Sequence, residues 1–150
     1  MPGALVRLTL GSNPPSTALS EIYEVPWKNP RAATEGYAPR GMDVDGNGVV
    51  WTVLSSGHLA SFDRRKCKGP LNGPTAMGQH CTEGWALYPF PGPNYKGATE
   101  AGSADTAYYN FVDRFDMGRP STAIFSSPNP ALYNFDLVKL GDGKYELRRR

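Results

Sequence analysis

Long apolar runs are missing from this chain of 150 residues, and no stretch approaches the ~18 to 20 residues that a bilayer-spanning helix needs. The opening Met1-Pro2-Gly3-Ala4-Leu5-Val6-Arg7 has neither a basic leader nor an apolar stretch of about 7 to 15 residues, so no signal peptide is expected there. Charge is scarce too, at 20% of residues, below the ordinary ~25%. The net charge of +2 is carried by the closing Arg148, Arg149 and Arg150, and the rest of the chain is close to neutral. Arg64-Arg65-Lys66 is the other basic cluster, too short for a nucleic-acid surface, and no nucleic-acid partner is expected. Two cysteines and two histidines leave few ligands for a metal and few bases near neutral pH. Neither a Gly-x-Ser-x-Gly nucleophile elbow nor a phosphate loop with a following Lys-Ser/Thr occurs.

Breakers are abundant. Glycine (17) and proline (14) together make about 21% of the chain, against an ordinary ~12%. Helix interiors tolerate neither residue well, so long helices are excluded. Aromatic residues make up 11%, too many for a disordered tail of such low net charge. A turn-rich, all-β protein remains. Leu5–Leu10 and Glu21–Pro26 alternate apolar and polar residues and read as strands closed by Gly and Pro. Gly41–Val44 and Val49–Leu54 flank Asn47-Gly48, and both turn residues tolerate the positive φ of a tight hairpin. Asp43, Asp45 and Asn47 have the spacing of the first ligands of a calcium loop, but Leu54 stands where its bidentate Glu belongs, so a hairpin is expected. His58–Asp63 is a further strand, Phe135–Leu140 with Lys144–Leu147 a final hairpin, and Arg148–Arg150 prolong it. Residues 103–117 predict one short helix, because Tyr108, Phe111, Val112 and Phe115 share a helical face, with Ser103 as N-cap and Gly118 as stop.

The chain repeats itself. Leu5-Val6-Arg7-Leu8 leads to Ile22-Tyr23-Glu24-Val25-Pro26, as Leu59-Ala60-Ser61-Phe62 leads to Leu87-Tyr88-Pro89-Phe90-Pro91. The offset is 54 residues at the front and 65 at the back, so the second copy holds 11 extra residues. They fall in a Gly/Pro-rich cysteine loop over 66–86. A strand–hairpin–strand unit at this spacing points to a β-propeller, whose blades are small antiparallel sheets. Residues 1–150 are then a single incomplete propeller-like domain of about two to three blades, since rings need ~4 to 8.

Pro39-Arg40-Gly41-Met42, followed by Asp45, Asn47-Gly48 and Val50-Trp51, resembles the blade signature of streptogramin (virginiamycin B) lyase-like propellers. There a Pro-x-Gly-Ile run, a turn and a Trp-bearing strand precede a Gly-Arg-Ile-type and a Glu-Tyr-x-x-Pro-type strand. Leu59–Asp63 and Glu21–Pro26 are similar to these two, and the resemblance covers residues 4 to 92. It implies a fragment of a longer protein that is secreted or periplasmic, its leader lying outside this chain. It also implies a metal-dependent lyase that opens a cyclic substrate by elimination, with a divalent metal such as Mg as cofactor. The family's Trp-bearing strand often continues to a Glu, whereas Leu54 ends it here. That departure favours a propeller-face module binding an unknown small-molecule or protein ligand, with no cofactor expected. Lyase chemistry is the alternative, and enzyme status stays open.

Few residues carry candidate chemistry. Cys67 and Cys81 enclose a short Gly/Pro-rich span and read as a disulfide; two free thiols, or a metal site with His80 and Glu83, are the alternatives. A bridge fits the secreted setting that the resemblance implies. His58 is the candidate catalytic base, at the start of a strand where it either reaches a propeller face or points to solvent. His80 is expected to cap its loop. Trp51, Asn47 and Gly48 are structural, with Trp51 expected to be largely buried. Unpaired strand edges and apolar blade faces predict a chain that self-associates or needs flanking sequence.

Overall fold

The computed structural model describes residues 2–92, 103, 107–113, 122–126, 132–133, 135–141 and 144–149. Among them there are eleven β-strands, three 3-10 turns and no α-helix. The strands are β1 (Ala4–Thr9), β2 (Leu19–Glu24), β3 (Pro39–Val44), β4 (Val50–Leu54), β5 (His58–Phe62), β6 (Trp85–Pro89), β7 (Tyr109–Asp113), β8 (Thr122–Ser126), β9 (Leu132–Tyr133), β10 (Phe135–Gly141) and β11 (Lys144–Arg149). They form four antiparallel sheets in chain order, β1-β2, β3-β4-β5-β6, β7-β8-β9 and β10-β11. The fold is all-β and propeller-like. No described helix is long and apolar enough to cross a membrane.

The β3–β6 meander is sandwiched, which is why both of its faces are apolar. Val50, Thr52 and Leu54 share a face with their partners Phe62, Ala60 and His58. This face meets β1–β2, where Phe62 clusters with Leu5 and Tyr23, and Leu54 and Ala60 cluster with Val25. Trp51 and Val53 project oppositely. Val53 and Leu59 pack with Phe90, Ala107 and Leu147 of β11, while Asn110 of β7 donates to the Trp51 carbonyl at 3.0 Å.

The internal repeat is kept bond for bond. Leu5 opposes Tyr23 and Val6 opposes Ile22, while Leu59 opposes Tyr88 and Ala60 opposes Leu87. Val25 N–H donates to Gly3 C=O at 3.1 Å, and Phe90 N–H to Gly57 C=O at 2.9 Å. Ala38 N–H reaches Pro2 C=O just as Ser103 N–H reaches Ser56 C=O. Gly3 and Gly57 both hold a positive φ, of 85° and 78°. A Cβ at Gly57 would strike the Ser103 backbone, so the return of the chain to the next sheet requires glycine there.

The hairpin forms as expected, with Val44 opposite Val50 and Asp43 opposite Trp51. Only Gly48 uses a positive φ, of 78°; Asn47 does not. The Asp45 carboxylate organises this turn, accepting from the N–H groups of Asn47 and Val49 and from the Trp51 indole at 2.8 to 3.0 Å. Trp51 is half-buried rather than largely buried, because its indole edge reaches out to that turn.

The helix expected over 103–117 is not found where the chain is described, since Tyr109–Asp113 is a strand paired with β8. Tyr109 and Phe111 are exposed while Asn110 and Val112 are buried. The real period is two, and the helical spacing of the aromatics was coincidental. Residues 104–106 and 114–117 lie outside the described residues. The final hairpin is present as β10–β11. The cysteine loop expected over 66–86 ends two residues earlier, because β6 starts at Trp85.

Candidate functional site

Two surfaces carry chemistry, and the first is the seam between β1–β2 and the central sheet. Glu21 is 2% exposed, and a carboxylate so placed needs partners. Arg64 supplies them from the 3-10 turn Arg64–Lys66 after β5, with Nε and Nη2 both 2.6 Å from the two carboxylate oxygens. Arg7 adds a bond at 3.2 Å and the Tyr23 hydroxyl donates at 2.5 Å. The Arg64 fork above all holds the Glu21 carboxyl down at about 2, and burial pushes the Tyr23 phenol up to about 12. Beside this seam lies a largely apolar cleft of about 290 Å³ between β1 and the hairpin strands, lined among others by Leu5, Arg7, Met42, Val44, Val50 and Phe62.

The cysteine loop seals the same seam. Cys67 and Cys81 form a disulfide, with Cα atoms 5.4 Å apart, and the loop that it closes lies across β2. Gly78 sits so close to the Tyr23 ring and the Ile22 carbonyl that a Cβ would touch both. Arg31 donates to the His80 carbonyl at 2.9 Å. His80 therefore ties down its loop through its backbone, its N–H also donating to the Met77 carbonyl. No three His, Cys, Asp or Glu side chains cluster as metal ligands among the described residues, at His80 and Glu83 or elsewhere.

The second surface runs along β3 and β7, which lie side by side although they belong to different sheets. Gly41 N–H donates to the Tyr108 carbonyl at 3.0 Å, and Tyr109 crosses over Gly41, where a Cβ would collide with its ring. Arg40 stacks its guanidinium 4.4 Å from the Tyr108 ring centre, held by a bond to Ser55 Oγ at 2.8 Å. Tyr109 and Phe111 are 68% and 50% exposed. Two exposed features therefore lie on neighbouring residues, the Arg40–Tyr108 stack and the Tyr109 and Phe111 rings of one β7 face.

No family model matches this chain, and neither a curated protein nor a solved structure does. The site must be read from its own geometry.

His58 is fully buried, not solvent-facing. It shares the face of Leu54, and its Nδ1 lies 3.0 Å from Ser56 Oγ. Ser56 Oγ in turn accepts from the Tyr37 N–H, which leaves its hydroxyl hydrogen for the imidazole. Leu54, at the position where the resemblance has a carboxylate, is core. The structure thus separates the candidates: His58 in the interior, His80 and Glu83 in the cysteine loop, Asn47, Gly48 and Trp51 at the hairpin. Sequence reading missed Glu21, Tyr23 and Arg64, whose contacts span 43 and 41 positions. A second Glu on the same strand, Glu24, is exposed, so nothing local marked Glu21 as buried.

Proposed function

We propose that this chain is part of a streptogramin lyase-like β-propeller, about two to three blades of it, and that it acts as a binding module. The observation that carries this reading is the exposed set Arg40, Tyr108, Tyr109 and Phe111 along β3 and β7. Exposed rings on and beside a paired strand offer stacking faces at little entropic cost, and the guanidinium stacked on Tyr108 offers a charged contact to an anion. The matching ligand has a flat apolar face and an anionic group, whether a small molecule or a side chain of a protein partner. A secreted or periplasmic setting is supported by the Cys67–Cys81 bridge, since such bridges persist where the surroundings are oxidising. The lyase alternative, with Mg, draws no support from His58, buried and bonded to Ser56.

Chemical-shift mapping with a fragment set of aromatic acids, uronic-acid oligosaccharides and neutral sugars tests the reading. Shifts should cluster on Arg40 and Tyr108–Phe111 and vanish in Tyr109→Ala. Fragments that gather elsewhere, or Mg titration that shifts a separate cluster and brings turnover, would overturn it.

A further inference from the structure

The chain holds two Asn-Gly pairs, Asn47-Gly48 and Asn72-Gly73, and the fold treats them differently. Such a pair can modify itself without an enzyme. The glycine nitrogen gives up its proton to solvent and attacks the asparagine Cγ. A Cγ–N bond forms, the Cγ–Nδ2 bond breaks and ammonia leaves, which closes a five-membered succinimide. Water then opens the ring at either carbonyl, to aspartate or to isoaspartate. Two conditions govern the first step. The approach to the following residue must be open, which glycine provides by lacking a Cβ, and its N–H must not be held in a hydrogen bond. In the hairpin the second condition fails. Gly48 N–H donates to the Asp45 carbonyl at 3.0 Å, and Asn47 N–H donates to Asp45 Oδ1 at 2.8 Å. In the cysteine loop it is met. Among the described residues the Gly73 N–H has no acceptor and the Asn72 side chain no hydrogen-bond partner. Gly73 is exposed, and a Cβ there would meet nothing within 4 Å. A bond from Met77 N–H to the Pro70 carbonyl closes this tip of the loop, and Ala76 N–H holds the Gly73 carbonyl, but neither engages the Gly73 nitrogen.

We propose that Asn72 is a site of spontaneous deamidation and isoaspartate formation, and that the hairpin protects Asn47 from the same reaction. The product places a carboxylate between the cysteines, where Lys68 is the one charged side chain at neutral pH. The isoaspartate route also adds a main-chain atom to a loop whose ends are fixed by the Cys67–Cys81 bridge.

The test ages the folded chain in mildly alkaline buffer, digests samples at low pH and maps them by mass spectrometry, with an isoaspartate methyltransferase labelling the isoaspartyl product. The peptide holding Asn72 should exchange its amide for an acid roughly fivefold or more faster than the peptide holding Asn47, since the Gly48 nitrogen must first break a backbone hydrogen bond. In guanidinium chloride the two rates should draw together, because the unfolded pairs differ only in their flanking residues. Asn72→Gln should abolish the fast product and leave the Asn47 rate unchanged. Equal rates in the folded chain, a faster Asn47, or a difference that persists undiminished after unfolding would overturn the proposal.

Discussion

Glu21 holds its negative charge in a place where water barely reaches, and three side chains make that tolerable. Because the folded carboxyl titrates at about 2 against an ordinary 4.5, its stabilisation is whole above pH 4.5 and is lost as the pH falls to 2. The loss is on the order of 2 to 3 kcal/mol, seen as a falling limb in urea midpoints measured across that range. Glu21→Gln should flatten the limb. Arg64→Ala should cost about 3 kcal/mol at pH 7, because it strands a buried carboxylate with weaker partners; an unchanged midpoint would show that Arg7 and water suffice. At the alkaline end the Tyr23 phenol, raised to about 12 from 10, contributes stability that is whole below pH 10 and declines as the pH rises to 12. None of this was legible in the sequence, since an ion pair bridging 43 positions leaves no local pattern. The burial of His58 was equally hidden. A histidine opening a strand looks the same whether its face meets solvent or a neighbouring sheet.

Elements were far more legible than side-chain contacts, for a physical reason. Strand alternation and turn chemistry are local, so β1 to β5 and the last hairpin could be read directly from residue types. The copy of Leu5-Val6 with Ile22-Tyr23 in Leu59-Ala60 with Leu87-Tyr88 carried even the strand register. β7 failed because Tyr108, just before the strand, and Phe111 and Val112 on it happened to fit a helical face as well. The hairpin shows a finer error, since Asn47-Gly48 marked the turn while Asp45 builds it. Asp45→Ala removes three bonds to the carboxylate and should cost about 2 kcal/mol. Asn47→Ala, at a position without left-handed backbone, should cost under about 0.5 kcal/mol; the reverse ranking in chemical denaturation would return the turn to Asn47. The cysteine loop is a different kind of element, held by one bridge and draped over β2. Replacing both cysteines by serine should lower stability by up to roughly 3 kcal/mol. It should also speed hydrogen exchange at Ile22 and Tyr23 ahead of the central sheet. Uniform acceleration everywhere would mean that the loop is a general staple instead of a cover for β2.

The whole molecule is a stack of sheets, and the repeat exposes a conflict in it. Val6 and Leu8 stand where Ala60 and Phe62 stand in the second copy, yet they are 65% and 59% exposed while their counterparts are 0% and 1%. Ile22, beside Val6, is 47% exposed. A twisted sheet with one face this apolar is stable when a second sheet covers it, as β1–β2 itself covers the face of Phe62. Left uncovered it favours association, because burying each such side chain is worth about 1.5 to 3 kcal/mol. The isolated chain should therefore sediment as concentration-dependent oligomers. Val6→Thr, Leu8→Thr and Ile22→Thr together should shift it towards monomer, since threonine keeps the strand preference while removing the apolar face. Stability at low concentration should change little, because none of the three is buried in the monomer. If the unaltered chain instead runs as one monomer with a sharp, reversible melt, its exposed face needs no cover. The chain is then a self-sufficient domain, and the reading of it as part of a larger ring must be given up.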